Sequence, residues 1–474
     1  MIKYFNIELI NLESKASFQY LLLTLITLIA IALRFYNLGE WSFWGDEMFT
    51  VGGREDGFNY SIVRESISLR LIQATVAFLG PSEWNARLVP AIIGVISIPV
   101  FYSLVKKMSG PAVGLVAALL LAVSPWHLYW SQNARFYTSL LLFYTLALLT
   151  FYFGLEKDRP WYLLVSLLCL GLAAKERLIA LFFVPVVLSY LILLFVLPFE
   201  KPPGLRWRNL VIFAGLALIP IVFFAGPYVL NLSKWLAGFG YANNSPVWIL
   251  AGVVFYIGLP TVCMAVLGAL YFLSKKSRAS LLLSLGAAIP LLTMTLISPF
   301  HYTANRYVFV SLLSWIILAS LAAVELLVQA PKHIKILAVG VLIFLVLHPL
   351  SEDVLYHQYQ NGNRDNWKTA FESVRKQKQV GDLVVAANTE LGDYYLQDKT
   401  MSFRSVDLAS IEEGERRVWF VEDMVAQQIF PDVHNWLKAN TQQVANLDVH
   451  IQARNFKMRV YLYDPVKNPP NAIN

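Results

Sequence analysis

Two adjacent carboxylates, Asp46 and Glu47, close the stretch Trp41-Ser42-Phe43-Trp44-Gly45-Asp46-Glu47, a few residues beyond a long apolar run. Ionised carboxylates at the edge of a bilayer are costly unless they are paired or at work. These stand among three aromatics, Trp41, Phe43 and Trp44, of the type that anchors protein at a membrane surface. A carboxylate so placed can take a proton from an attacking hydroxyl. The plainer alternative is a solvated acidic loop, and the position directly after an apolar run argues against it.

Cations with a matching chemistry lie in other places. The run from Ser124 to Tyr137 offers Arg135, the Gln132 amide, the His127 imidazole and stacking aromatics that include Tyr137. The run from Ser298 to Tyr307 brings His301, Arg306 and Tyr307. Lys175-Glu176-Arg177 adds two more cations, although Lys175 and Glu176 could neutralise each other, and Arg87 stands by itself. Snorkelling to headgroups and an interfacial aromatic belt would account for single residues, but not for Gln132. Together, one carboxylate pair and several cations suit transfer from a phosphate-linked donor. A departing phosphate is a weak base and needs no general acid. It does need cations for the charge that develops on it, which Arg supplies with a bidentate fork. The acceptor hydroxyl needs one base, unlike glycoside hydrolysis, where two carboxylates flank the bond.

The elements that must position these groups belong to a membrane protein. The 474 residues are 57% hydrophobic and 15% charged, against about 45–50% and about 25% in soluble domains. Nearly all of the excess precedes residue 350. Windows of about 20 apolar residues predict about eleven spans: 18–36, 86–105, 112–128, 134–154, 161–175, 177–198, 209–230, 247–273, 280–298, 306–328 and 333–350. Lys3 and Lys15 precede the first span. Lys106 and Lys107, Lys157 and Arg159, Lys201, Arg206 and Arg208, Lys275, Lys276 and Arg278, and Lys332 and Lys335 follow the even-numbered ones. The positive-inside rule then puts the N-terminus in the cytoplasm and the C-terminal region outside. Arg87, Arg135, Lys175, Arg177, Lys234 and Arg306 are left on the outward side, which makes them site candidates. This distribution accounts for the formal charge of +7 without a nucleic-acid partner. Cys169 and Cys263 both lie in apolar runs, so neither a disulfide framework nor a Cys-based metal site is expected. The first apolar run is long enough to span, so no cleavable signal peptide is expected.

The outward loop, about 37–85, includes a segment from Ser61 to Leu79 with Ile62, Leu69, Ile72 and Val76 at helical spacing, which predicts an amphipathic helix at the membrane surface. From residue 351 the composition turns soluble. Asn366 to Gln377 reads as a helix capped by Asp365, and Leu383 to Ala387, Val418 to Val421 and Met458 to Tyr463 read as strands. Two domains are expected: 1–350, transmembrane and catalytic with the loop 37–85, and 351–474, a small soluble extracytoplasmic α/β domain.

Several classes lack their signatures. There is no Gly-rich phosphate loop, no Asp-x-Asp pair for a nucleotide sugar and no His/Cys ligand spacing. Inverted repeats with broken helices, the mark of a transporter, are not evident. The residues do resemble a family. Leu33-Arg34-Phe35 through Asp46-Glu47, Glu83 to Arg87, Pro90, Gly94, Ser124-Pro125, Ser131 to Tyr137, Arg306-Tyr307 and Asn366-Trp367-Lys368 before Gly381-Asp382 look like a GT-C glycosyltransferase. The branch is the bacterial and archaeal one related to protein O-mannosyltransferases and aminoarabinose transferases.

The resemblance implies a GT-C membrane fold and an inverting transfer from a polyprenyl-phosphate sugar to an acceptor hydroxyl at the outer face of the plasma (inner) membrane. It maps the family's acidic pair onto Asp46 and Glu47, with Asp46 as base and Glu47 orienting it or the acceptor. Arg135 and Arg306 would hold the donor phosphate, with Gln132, Tyr137, Tyr307, Lys175, Arg87 and His301 as further substrate-binding candidates. Some relatives carry another acid where this chain has Tyr137. No cofactor is called for; a divalent metal is compatible with the site but is not indicated. The expected partners are the lipid donor, the bilayer and an acceptor glycan, lipid or protein. A transporter or flippase of lipid-linked sugars remains the alternative; it would use the same cations without needing Asp46 as a base.

Overall fold

A computed structural model describes residues 16–52, 66–220, 245–451 and 454–466. In chain order, the helices of the apolar part are α1 Ala16–Phe35, α2 Gly45–Gly52, α3 Ile67–Leu79, α4 Glu83–Ser109, α5 Pro111–Ala122, α6 Pro125–Ser131, α7 Tyr137–Glu156 and α8 Pro160–Glu176. They continue as α9 Phe183–Val196, α10 Trp207–Pro220, α11 Pro246–Ile257, α12 Leu259–Ser274, α13 Arg278–Ile297, α14 Leu312–Gln329 and α15 Lys335–Gln358, with 3-10 turns at Leu178–Phe182 and Asn305–Ser311. Among the described residues, 7 helices are long and apolar enough to cross a membrane, or 9 if each bent pair counts as one span. Of the eleven predicted spans, 161–175 corresponds to the 17-residue α8, and 209–230 is described only as far as residue 220.

Two predicted spans are broken. The run 247–273 forms α11 and α12 at a bend of 98°. Gly258 takes φ +89 there, a conformation that L side chains rarely adopt, and Pro260 removes a helix donor. The run 112–128 ends at Ala122 and resumes as α6 after a 58° bend, with Ser124 accepting from the His127 N–H as N-cap and Pro125 at the first position. Much of what reads as the turn after the third span is therefore helix. Lys3, Lys15, Ile62 and Lys234, with the rest of 61–65, lie outside the described residues.

The described residues group into two compact units. One comprises residues 16–36, 66–71 and 88–353; the other 37–52, 72–87 and 354–466 apart from 452–453. In the first unit, helix ends sort by charge. Lys106, at the end of α4, donates to Gln19 at the start of α1 at 2.8 Å, Lys107 bonds Tyr162 at the start of α8, and Arg278 at the start of α13 pairs with Glu156 at the end of α7 at 2.6 Å. The basic ends thus share one end of the unit, and Arg135, Lys175 and Arg177 lie at the opposite ends of α7 and α8. α7 and α14 form its centre, with Tyr144, Leu148, Phe151, Leu312 and Ile317 fully buried.

The second unit contains a sheet of order β2-β1-β3-β5-β4. Its elements are α16 Trp367–Gln377, β1 Leu383–Ala386, α17 Thr389–Leu396, β2 Met401–Ser402, α18 Leu408–Glu412, β3 Val418–Glu422, α19 Met424–Ile429, α20 Pro431–Asn440, β4 Gln442–Ile451 and β5 Arg454–Tyr463. β1 runs parallel to β2 and β3, and β5 is antiparallel to β3 and β4. Val385, Val418, Phe420, Leu437 and Tyr461 form its core. The expected small α/β domain is present, and α16 is capped by Asn366 rather than Asp365, through the Thr369 N–H.

Candidate active site

The acidic pair opens α2 of the second unit, where two carboxylates in a first turn complement the helix dipole. Neighbouring residues on a helix point about 100° apart, so the pair divides. Glu47 turns inward and is fully buried. It meets Arg87 in a fork, Nε to Oε1 at 2.8 Å and Nη2 to Oε2 at 2.7 Å, and Arg364 Nη1 reaches Oε2 at 3.2 Å. Asp46 remains partly exposed. Arg87 also donates to the carbonyls of Leu38, Trp41 and Ser42 at 3.2, 2.9 and 3.0 Å, and its carbon lies 5.5 Å from the centre of the Phe43 ring.

Arg87 is among the expected substrate-binding candidates. All of its N–H groups point at protein acceptors, and the side chain is 0% exposed. Glu47 and Arg87 form a buried clamp that folds residues 38–47 around themselves, leaving Asp46 as the accessible member of the pair.

The first unit gathers the cations at the start of α7. Phe136 is the N-cap with no side-chain cap, and Tyr137 is the first helical residue. The first-turn amides of a helix so begun carry positive partial charge. Arg306 lies in the 3-10 turn whose Phe309 ring meets Tyr137, with centroids 6.2 Å apart. Arg135 and Arg177 stack on the Phe136 ring, at 5.1 and 5.6 Å, and Arg306 on Tyr307 at 5.7 Å. Trp130 packs on Tyr137 with centroids 3.8 Å apart. Its indole Nε1 and the Thr138 Oγ1 are buried without a hydrogen-bond partner among the described residues, which leaves one donor and one hydroxyl for something else. Lys175, in the last turn of α8, is partly exposed. His301 is also partly exposed, with Nδ1 3.1 Å from the Tyr302 carbonyl.

Gln132, the C-cap of α6, is held by protein. Its amide nitrogen donates to the carbonyls of Leu33, Arg34 and Tyr36 at 3.3, 3.1 and 2.7 Å, which satisfies the orphan acceptors at the end of α1. Arg34 returns the favour: it donates to the carbonyls of Leu121 and Ala122 at the end of α5, at 3.2 and 2.8 Å, and its Nη2 lies 2.8 Å from His127 Nδ1. The two helix ends cap each other, and Gln132 directly precedes Asn133-Ala134-Arg135.

Glu176 does not pair with Lys175. It accepts from the Ser66 and Ser68 hydroxyls at 2.5 Å each and from the Ser68 N–H, so it anchors the start of α3, where Leu69, Ile72 and Val76 are buried as expected. Sequence reasoning missed these serines and Arg364; no spacing marks them. Arg177 was signalled as an outward cation. Among the described residues no three His, Cys, Asp or Glu side chains converge as metal ligands would.

The structure of ArnT from Cupriavidus metallidurans in the apo state matches with a TM-score of 0.61 over 96% of this chain and 100% of that one, at 14% identity. The chain has the GT-C glycosyltransferase fold. ArnT from the same organism bound to undecaprenyl phosphate matches equally, with a TM-score of 0.61, 14% identity and 93% and 97% of the two chains covered. The archaeal oligosaccharyltransferase AglB from Archaeoglobus fulgidus, in complex with an inhibitory peptide and a dolichol-phosphate, shares the GT-C fold at a TM-score of 0.55 and 12% identity, over 87% and 70%. Residues 68–225 match the family model described as dolichyl-phosphate-mannose-protein mannosyltransferase. No curated protein matches in sequence. Together with the 7 described helices long and apolar enough to cross a membrane, this fold is that of a multi-pass membrane protein.

Proposed function

We propose that this protein is an inverting glycosyltransferase that moves a sugar from a polyprenyl-phosphate donor to an acceptor hydroxyl at the outer face of the plasma membrane. The observation that carries the reading is that Arg135 and Arg177 both stand over the Phe136 ring at the N-terminus of α7, at 5.1 and 5.6 Å, while Arg306 lies in the 3-10 turn whose Phe309 meets Tyr137. Guanidinium groups at an uncapped helix start form an anion site. The related fold of ArnT is known with undecaprenyl phosphate bound, and that of AglB with a dolichol-phosphate, which supports a lipid phosphate as the anion.

In the proposed reaction the acceptor oxygen attacks the anomeric carbon as its proton passes to Asp46. The bond from that carbon to the phosphate oxygen breaks, its electron pair stays on the phosphate, and the three arginines with Lys175 hold the charge. Tyr137, Tyr307 and His301 line the donor side, while Glu47 and Arg87 keep α2 in place. This chemistry draws on no cofactor. The N-terminus lies in the cytoplasm, and the site and residues 351–474 lie outside, following the positive-inside count.

The test is reconstitution in vesicles with a labelled polyprenyl-phosphate sugar. Asp46→Asn should bind the lipid like the parent and form no glycoside. Undiminished transfer by Asp46→Asn would overturn the assignment of the base. Movement of label across the bilayer without a new bond would identify the alternative, a flippase.

A further inference from the structure

Apart from Arg87, the groups that fix the acidic motif come from more than 300 positions down the chain. All of them belong to the second unit. The Tyr395 hydroxyl, at the end of α17, accepts the Phe43 N–H at 2.7 Å and donates to Glu83 Oε1 at 2.7 Å. The Ser42 hydroxyl donates to the Asp365 carbonyl at 2.5 Å and accepts the Trp367 N–H at 3.2 Å. Tyr394 stacks edge-on against Phe43, with centroids 5.4 Å apart, and its hydroxyl reaches the Pro81 carbonyl. Trp41 packs against Tyr356, and Arg364 completes the ring of cations on Glu47. The side-chain amide of Asn388, just past the carboxyl end of β1, lies 3.2 Å from where a Cβ on Gly45 would stand. α2 is therefore seated over the carboxyl edge of the parallel strands, the edge where open α/β sheets place ligands.

We propose that residues 364–395 are the positioning scaffold of the carboxylate helix, with Tyr395 as the residue that sets its angle. Asp46 is three positions from Phe43, the residue whose amide Tyr395 holds. Burial and the Glu83 carboxylate push the Tyr395 phenol upward, so it stays protonated and can bridge an amide donor to a carboxylate acceptor. Phenylalanine at 395 would keep the ring stack with Phe371 (6.2 Å between centroids) and lose only the bridge. The Phe43 N–H and Glu83 would then lack their partner, and the turn before α2 would shift. A displacement near 1 Å at a reacting group costs about 100-fold in rate.

The inference rests on Asp46 acting as base, and the experiment separates the two. Tyr395→Phe in the full-length protein should lower kcat by roughly 10–100-fold and leave the KM for the lipid donor within about 2-fold, because the donor cations lie in the other unit. Amide hydrogen exchange in 42–48 should speed up, with the start of α7 unchanged. Tyr395→His, which keeps a polar ring, should restore part of kcat. Normal kcat together with normal exchange in Tyr395→Phe would overturn the scaffold role, while an inactive Asp46→Asn alongside would leave the base assignment standing. If Asp46→Asn is active, the base assignment fails whatever Tyr395→Phe does.

Discussion

Glu47 and Asp46 are adjacent, yet removing either charge should have opposite consequences. Glu47 is fully buried against Arg87 and Arg364, so Glu47→Gln leaves two guanidinium groups without a counter-charge. Breaking a buried pair in this way costs about 3–5 kcal/mol. Thermal unfolding in detergent should therefore drop sharply for Glu47→Gln, whereas Asp46→Asn should unfold like the parent while losing transfer. Equal unfolding curves for Glu47→Gln and the parent would refute the clamp. At this scale the sequence disclosed which residue types matter but not how they pair. The Asp-Glu dipeptide and the outward arginines were legible because charge at membrane depth is rare. That Arg87 faces Glu47 rather than a phosphate was not, because the partner lies 40 positions away and no period links them.

Among the elements, the broken spans decide where the cations stand. α11 approaches the 3-10 turn Asn305–Ser311 so closely that a Cβ on Gly252 would fall on the Asn305 side chain. Asn305 precedes Arg306, so Gly252→Ala should push that turn aside. The expected result is a raised KM for the lipid donor and a loss of about 1–3 kcal/mol in stability, the usual range for overpacking, measured by initial rates and thermal unfolding. An unchanged KM would detach Arg306 from the donor. Hydropathy windows joined α11 to α12 because an apolar count does not register a bend, although Gly258 and Pro260 were both available as breakers. β4 escaped for a different reason. Gln442, Gln443, Asn446 and Asp448 make it polar, as suits a strand at the edge of the sheet, and such a strand lacks the apolar run by which β1, β3 and β5 could be read.

For the molecule as a whole, one titration bears on the unit that carries the acidic motif. The Asp365 carboxyl is pushed up to about 7, by burial first and by the Asp423 carboxylate second. An unfolded Asp releases its proton near about 3.9. Between those values the folded state binds more protons, so this contribution is full below about pH 4 and is lost as pH rises towards 7. Asp365→Asn should remove that slope and unfold at a higher temperature than the parent at pH 7.5, with the difference shrinking towards pH 4. Parallel curves for the two proteins would show that Asp365 does not govern the dependence. The separations inside this unit also set a clock. Arg364 meets Glu47 across 317 positions and Tyr395 meets Phe43 across 352. At about 5–20 residues per second of translation, Phe43 leaves the ribosome roughly 20–70 s before Tyr395 exists to receive its amide. During biosynthesis the Glu47–Arg87 pair therefore waits for Arg364, and the Phe43 amide for Tyr395, until those residues have been made.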